Sequence, residues 1–177
     1  MLELVVIGAT LALAAGASGA QLHRRILAAR TFAEYATSRK HVFVPAPSKP
    51  KGASPRVEGE RDNVRFAIDL YRLGDIVRTR VATTLTHAHL GKFSAVRRRG
   101  GTYDFTADSH DLEEAVRLHS GDALATLSAR PDVWLAGDGA RITISWQGIE
   151  TNPLLLDAAC ELVTSLATVQ RPCQPYR

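Results

Sequence analysis

Apolar residues follow three patterns along this chain of 177 residues, and each pattern predicts a different kind of element. Residues 4–20 form an apolar run without a charged side chain, as in a membrane-spanning helix. Residues 63–85 and two later stretches alternate or pair apolar positions around turn residues, which predicts three β-hairpins. Two further stretches, from Asp111 to about Ser128 and from Asn152 to about Gln170, predict helices. We therefore expect an α+β fold: an N-terminal transmembrane helix, then an antiparallel sheet of three hairpins with two helices packed on one face.

The apolar run has the length and flanking charges of a membrane anchor. At ~1.5 Å per residue it spans roughly 25 Å as a helix, and Gln21 and Leu22 extend it toward the ~30 Å hydrocarbon core. Arginines follow it at once, whereas only Glu3 precedes it. Because positive charge stays cytoplasmic, we expect a single-pass protein of the bacterial inner membrane whose C-terminal domain is cytoplasmic.

Two alternatives remain open for this segment. Ser18-Gly19-Ala20 resembles the cleavage site of a secretory signal, and cleavage after Ala20 would give a periplasmic domain. The segment could also be a buried helix of a soluble protein. A secretory signal begins with positive charge, which Met1-Leu2-Glu3 lacks apart from the amino terminus, so the anchor is the preferred interpretation.

The rest of the chain divides by composition. A basic stretch with helical apolar spacing follows the anchor, then a strand candidate, then a segment rich in Pro, Gly and Ser. The predicted parts are a transmembrane anchor at 1–22, a basic juxtamembrane helix at 23–40, a short strand and linker at 41–62, an α+β domain at 63–170 and a tail at 171–177.

The positive charge is concentrated beside the anchor. The formal net charge is +4, and nine Lys/Arg stand against four acids between Leu22 and Asp62, whereas residues 63–177 hold 13 of each. We expect Arg24, Arg25 and Arg30 to lie at the membrane surface, where membrane lipid is the partner of the N-terminal helix. Since the body is neutral, the basic balance does not indicate nucleic-acid binding.

Two hairpins have turns that fix a register. Placing Gly74 and Asp75 at a two-residue turn pairs Asp69 with Arg80 and Tyr71 with Arg78 on one face. It pairs the apolar Ile68 with Val81, Phe66 with Thr83 and Val64 with Leu85 on the other.

Asp138-Gly139 is the strongest turn signal of the chain. It pairs Leu135 with Ile142 and Val133 with Ile144 on the core face. Trp134 then falls on the opposite face of the sheet.

Three features resemble interaction sites. Arg97, Arg98 and Arg99 occupy a glycine-flanked hairpin tip, which suits an acidic partner or lipid phosphates. Trp134 and Tyr71 fall on the outer face of their hairpins, where exposed aromatic residues anchor interfaces. We therefore expect a non-enzymatic accessory subunit or scaffold that binds a protein partner in a membrane complex.

An enzymatic alternative rests on histidines. His87 and His89 could lie on one side of a strand as metal ligands, completed by acids such as Asp108 if the fold brings them close. No metal-binding spacing, nucleophile motif or phosphate-binding glycine loop supports this, so we expect no cofactor and no metal. Cys160 is expected to be a small core residue.

Four features of the chain support a resemblance to other proteins. They are the Tyr103-Asp104-Phe105 strand, the capped helix from Asp111, the Asp138-Gly139 hairpin and the leucine-rich last helix. With them the chain resembles uncharacterised bacterial single-span membrane proteins that carry a small α+β domain of unknown function. The predicted element order also resembles the αβββαββα arrangement of type III secretion chaperone-like folds. These resemblances imply an anchor and a small domain, and no catalytic residue.

Overall fold

One antiparallel sheet of eight strands carries three helices on one face. The computed structural model describes residues 22–47, 54–84, 91–98 and 101–169. The helices are α1 (22–39), α2 (His110–Leu127) and α3 (Pro153–Val169). The strands are β1 (Val42–Val44), β2 (Arg56–Arg61), β3 (Val64–Leu73), β4 (Ile76–Thr84), β5 (Phe93–Arg97), β6 (Tyr103–Ala107), β7 (Trp134–Gly137) and β8 (Arg141–Gln147). Their order in the sheet is β1-β2-β3-β4-β8-β7-β5-β6. The predicted α+β class is confirmed.

The core lies between the sheet and the helices. One apolar row runs across all eight strands on this inner face, because side chains in register point the same way. The row consists of Phe43, Val57, Ile68, Val81, Ile144, Leu135, Ala95 and Phe105. Buried side chains of α1 and α3, such as Phe32, Leu156 and Leu162, belong to the same cluster. The helices therefore cover one face of the sheet.

The β3–β4 hairpin has the predicted register. Ile68 pairs with Val81 and Asp69 with Arg80, so local turn chemistry fixed the pairing. Gly74 has φ of 60°, which an L side chain rarely adopts and glycine accepts without strain. The pairing predicted for Leu85 lies outside the described residues.

The β7–β8 register differs from the prediction by two residues. Leu135 pairs with Ile144 rather than Ile142. The turn is centred on Gly139 and Ala140, because the Asp138 amide donates to the Arg141 carbonyl at 3.1 Å. The Asp138 carboxylate accepts from the amides of Ala140 and Arg141, and these hydrogen bonds lower its pKa. A slip of two residues preserves the face of each side chain, so Leu135 stays inside and Trp134 outside.

The sheet contains more strands than three hairpins supply. β2 lies within the stretch expected to be a linker, and β1 pairs with it. Charged residues dominate β2, and Val57 is its one fully buried apolar side chain, so the usual alternation is absent from its sequence. The order is one helix, six strands, a helix, two strands and a helix, which exceeds the αβββαββα arrangement by three strands.

α1 is the third helix of the packed layer, where two were expected. Its side chains Ala28, Phe32 and Tyr35 are buried, and the Tyr35 hydroxyl donates to Asp157 Oδ1 of α3 at 2.8 Å. Arg39 Nε donates to the same oxygen at 3.0 Å. The predicted span lies outside the described residues except for Leu22. No helix among the described residues is long and apolar enough to cross a membrane.

A buried carboxylate joins the last helix to the sheet. Glu150 is fully buried, and its oxygens accept hydrogen bonds from both Arg130 Nε and Nη2, at 2.8 and 2.6 Å. Trp146 Nε1 donates to it at 3.0 Å, and so do the amides of Thr151 and Asn152. These contacts fix the chain just before α3 begins.

We expect Glu150→Gln to lower the free energy of unfolding by about 3 kcal/mol, because it leaves the Arg130 charge without its partner. Urea denaturation measures this. Glu161→Gln is the control: its side chain is 64% exposed and pairs with Arg61 at 3.5 Å, so its loss should cost under ~1 kcal/mol. Equal losses in the two variants would contradict the role of Glu150.

The contribution of the α1–α3 contact to stability should depend on pH. Burial acts to raise the pKa of Asp157, but hydrogen bonds from Arg39 and Tyr35 outweigh it and the pKa is lowered. A carboxyl with a lowered pKa stabilises the fold above its unfolded pKa of about 3.9, and this contribution is lost as the pH falls through the folded value. Denaturation of wild type and Asp157→Asn should therefore differ at pH 7, and the difference should shrink only as the pH falls below about 4. A difference that does not change with pH would show that the charge on Asp157 is not what stabilises the contact.

Candidate interaction surface

The outer face of the sheet, opposite the helices, is not covered by any element of the described residues. Six small side chains form a flat row across it, which we call the small-residue row. It consists of Ala67, Ala82, Thr143, Ala136, Ser94 and Thr106. Short side chains leave the sheet backbone close to the surface, so another molecule can approach it closely.

A second row runs beside it, which we call the rim row, and its side chains are larger except for Ser145, which is fully buried. It consists of Asp69, Arg80, Ser145, Trp134, Val96 and Asp104. The outer face therefore has a raised border along one side of a flat strip.

One end of the rim row is a polar cluster. Arg80 donates two hydrogen bonds to Asp69, at 2.8 and 2.6 Å, and these raise the pKa of its guanidinium. The same guanidinium lies 5.2 Å from the centre of the Tyr71 ring. The Tyr71 hydroxyl lies 3.2 Å from Ser145 Oγ. The charges of Arg80 and Asp69 therefore neutralise each other, and the Tyr71 ring is held in place by Arg80 and Ser145.

The centre of the rim row is apolar and exposed. Trp134 and Val96 are direct cross-strand neighbours, with 42% and 47% of their surface accessible. Trp134 also neighbours Ser145, which brings it into the same region as Tyr71. The structure thus places two of the predicted interaction residues, Tyr71 and Trp134, on either side of Ser145.

The arginine tip is split between the two faces. Arg98 is exposed and donates to Asp104 of the rim row at 2.5 Å. Arg97 lies on the helix side of the sheet, half-buried, where its Nη1 donates to the Arg130 carbonyl at 2.7 Å. Arg99 lies outside the described residues. Arg97 is therefore not part of the outer face, because alternate residues of β5 point to opposite sides.

Arg78 pairs with Tyr71 across the β3–β4 hairpin, as predicted, but the guanidinium that contacts the Tyr71 ring is that of Arg80. Arg78 is buried, and its Nη2 donates to the carbonyls of Asp132 and Ser145 at 2.5 and 3.3 Å. Both arginines have partners within the fold.

The three arginines predicted at the membrane surface lie on α1. Arg24, Arg25 and Arg30 are all exposed. Arg30 pairs with Glu34 one turn later, at 2.8 Å. The first turns of α1 thus present positive charge to the surroundings.

The described residues add no support for the enzymatic alternative. His87 and His89 lie outside the described residues. Asp108 accepts a hydrogen bond from the Lys92 amide at 2.6 Å, and Ser109 caps α2 by accepting from the Leu112 amide. No group of three or more His, Cys, Asp or Glu side chains in the described ranges is placed to hold a metal ion.

Cys160 is a core residue next to the α1–α3 contact. It is 3% exposed, and burial raises the pKa of its thiol to about 12. A thiol that stays protonated at neutral pH is a poor nucleophile. Packing in the core is therefore sufficient to explain the presence of Cys160 at this position.

Val96 is the interaction candidate that sequence reasoning missed. Strand alternation in β5 places Val96 on the outer face, but its cross-strand partner Trp134 lies 38 positions further along the chain. Only the β5–β7 pairing, which no turn signal encodes, brings the two side chains together.

Comparison with known proteins supports the fold alone. No protein-family model and no curated protein sequence matches the chain. The crystal structure of the mycobacterial trehalose monomycolate transport factor A, TtfA, is similar, with a TM-score of 0.51 and 11% sequence identity. The match covers 81% of this chain and 94% of that one. The two proteins share an α+β fold at the level of chain path.

The two tryptophans should respond differently to substitution. Trp146 is fully buried and donates to Glu150, whereas Trp134 is exposed. We expect Trp146→Ala to cost about 3–5 kcal/mol of unfolding free energy and Trp134→Ala less than ~1 kcal/mol, as measured in urea. A large loss for Trp134→Ala would mean that this residue serves the fold rather than an interface.

Proposed function

We propose that this chain is a non-enzymatic accessory subunit of a bacterial membrane assembly, and that the outer sheet face binds a partner protein. In this proposal the protein is anchored by its N-terminal segment and the α+β domain is cytoplasmic. The observation that carries the proposal is the exposed Trp134–Val96 pair of the rim row, on the sheet face opposite the helices.

The chemistry of this face suits a protein partner. Interfaces are anchored by a few aromatic side chains set among polar groups, and Trp and Tyr are enriched among the residues that contribute most. Trp134 and Tyr71 are such side chains, and both lie in sheet positions with fixed neighbours. Little conformational entropy is lost when such residues bind.

The shape of the face gives a reason for the partner to approach here. The small-residue row lies flat beside the rim row, so a helix or strand of the partner can lie on Ala82 and Ala136 while it contacts Trp134. A second layer on this face would resemble the helical layer on the inner face.

The structural neighbour favours the same class of role. TtfA is described as a transport factor, and a chain of similar fold can serve an accessory role in transport. At 11% identity the likeness shows the fold alone, so the role belongs to the proposal and the substrate of that protein is not transferred.

Affinity purification of the full-length protein from mild detergent tests the proposal. We expect an uncleaved chain beginning at Met1 and a stoichiometric membrane partner, identified by mass spectrometry. Trp134→Ala with Val96→Ala should abolish co-purification while leaving the melting temperature nearly unchanged.

Leu118→Ala is the matched control, because Leu118 is 78% exposed and lies on α2, on the other face of the sheet. It should leave co-purification intact. Retention of the partner by the Trp134 and Val96 double variant would refute the interface. A mature chain starting at Gln21, or a bound metal lost in a His87→Ala, His89→Ala variant, would redirect the search to periplasmic or enzymatic roles.

A further inference from the structure

The first six residues of α1 are all exposed, and we call residues 22–27 the collar. A helix packed on a sheet normally buries one face, as α1 does from Ala28 onward, where Ala28 and Phe32 are fully buried. The collar therefore extends beyond the part of α1 that the domain covers.

The composition of the collar is unusual for a helix surrounded by water. Leu22, Ile26 and Leu27 are 60%, 59% and 37% exposed. Arg24 and Arg25 are exposed between them, and no acid occurs from Leu22 to Ala33. Apolar side chains interspersed with arginines and without acids are typical of a helix at an anionic lipid interface.

We propose that the collar lies in the headgroup layer of an anionic membrane. The apolar side chains enter the boundary of the acyl chains, and Arg24 and Arg25 contact lipid phosphates. Two observations favour lipid over a protein partner. The charge is complementary to anionic lipid, and the charge-free apolar run of residues 4–20 directly precedes the collar in sequence.

The packing of α1 makes this contact an orienting one. Tyr35 and Arg39 bind Asp157 of α3, and Phe32 lies in the core, so α1 is a rigid part of the domain. Six helical residues rise about 9 Å. The domain is consequently held within about two helical turns of the membrane in a fixed orientation. This inference rests on the proposed membrane location and is independent of the partner protein.

Tryptophan quenching in lipid nanodiscs tests the inference with the full chain. Ile26→Trp places a reporter in the collar, and Leu118→Trp places one at an exposed leucine of α2, while Trp134 and Trp146 give a common background. With brominated phosphatidylglycerol lipid we expect the emission of Ile26→Trp to be quenched and shifted to the blue. Leu118→Trp should give the background signal.

The charge dependence is tested in the Ile26→Trp chain. Arg24→Gln with Arg25→Gln should reduce quenching, since each arginine near an anionic surface contributes about a fivefold preference for it. The control of equal charge is Arg117→Gln with Arg141→Gln, both exposed and outside α1, which should leave quenching unchanged.

Three results would overturn the inference. The first is that Ile26→Trp is quenched no more than Leu118→Trp. The second is that quenching is equal in neutral and anionic lipid and does not change when the arginines are replaced. The third is that Ile26→Trp is shielded only when a protein partner is added. Because the readout needs no partner, its failure is distinct from a failure of co-purification.

Discussion

The Glu150 carboxylate holds three parts of the described chain together, because β8, the α2–β7 connection and the segment before α3 all donate hydrogen bonds to it. It is fully buried and accepts from Arg130, Trp146 and two backbone amides. A buried charge is tolerated only when its hydrogen-bonding capacity is filled. With these partners in place, the start of α3 is held beside the end of β8. From there α3 lies on the inner face of the sheet and packs with α1 and α2.

Features set by neighbouring residues could be predicted from the sequence. The β3–β4 register follows from Gly74, and the start of α3 follows from Asn152 and Pro153, whose cap is present. Features set by distant pairing could not be predicted. β2 has too few apolar residues to show alternation, and its pairing with β3 supplies the order that its own sequence does not indicate.

The candidate surface was predictable in the same partial way. The outward position of Trp134 follows from strand alternation alone, and it survives the two-residue error in the β7–β8 register. Arg97 shows the reverse case. As one of three consecutive arginines it resembled part of a single patch, but alternation in β5 turns it to the helix side, where it binds the Arg130 carbonyl.

The small-residue row limits the free energy that a partner can gain by binding to the outer face. Side chains such as Ala82, Ala136 and Ser94 offer little apolar area, and burial of apolar area is the main source of free energy in permanent interfaces. The larger exposed apolar side chains beside the row are Trp134 and Val96. A partner that docks on this face would therefore owe most of its binding free energy to these two side chains.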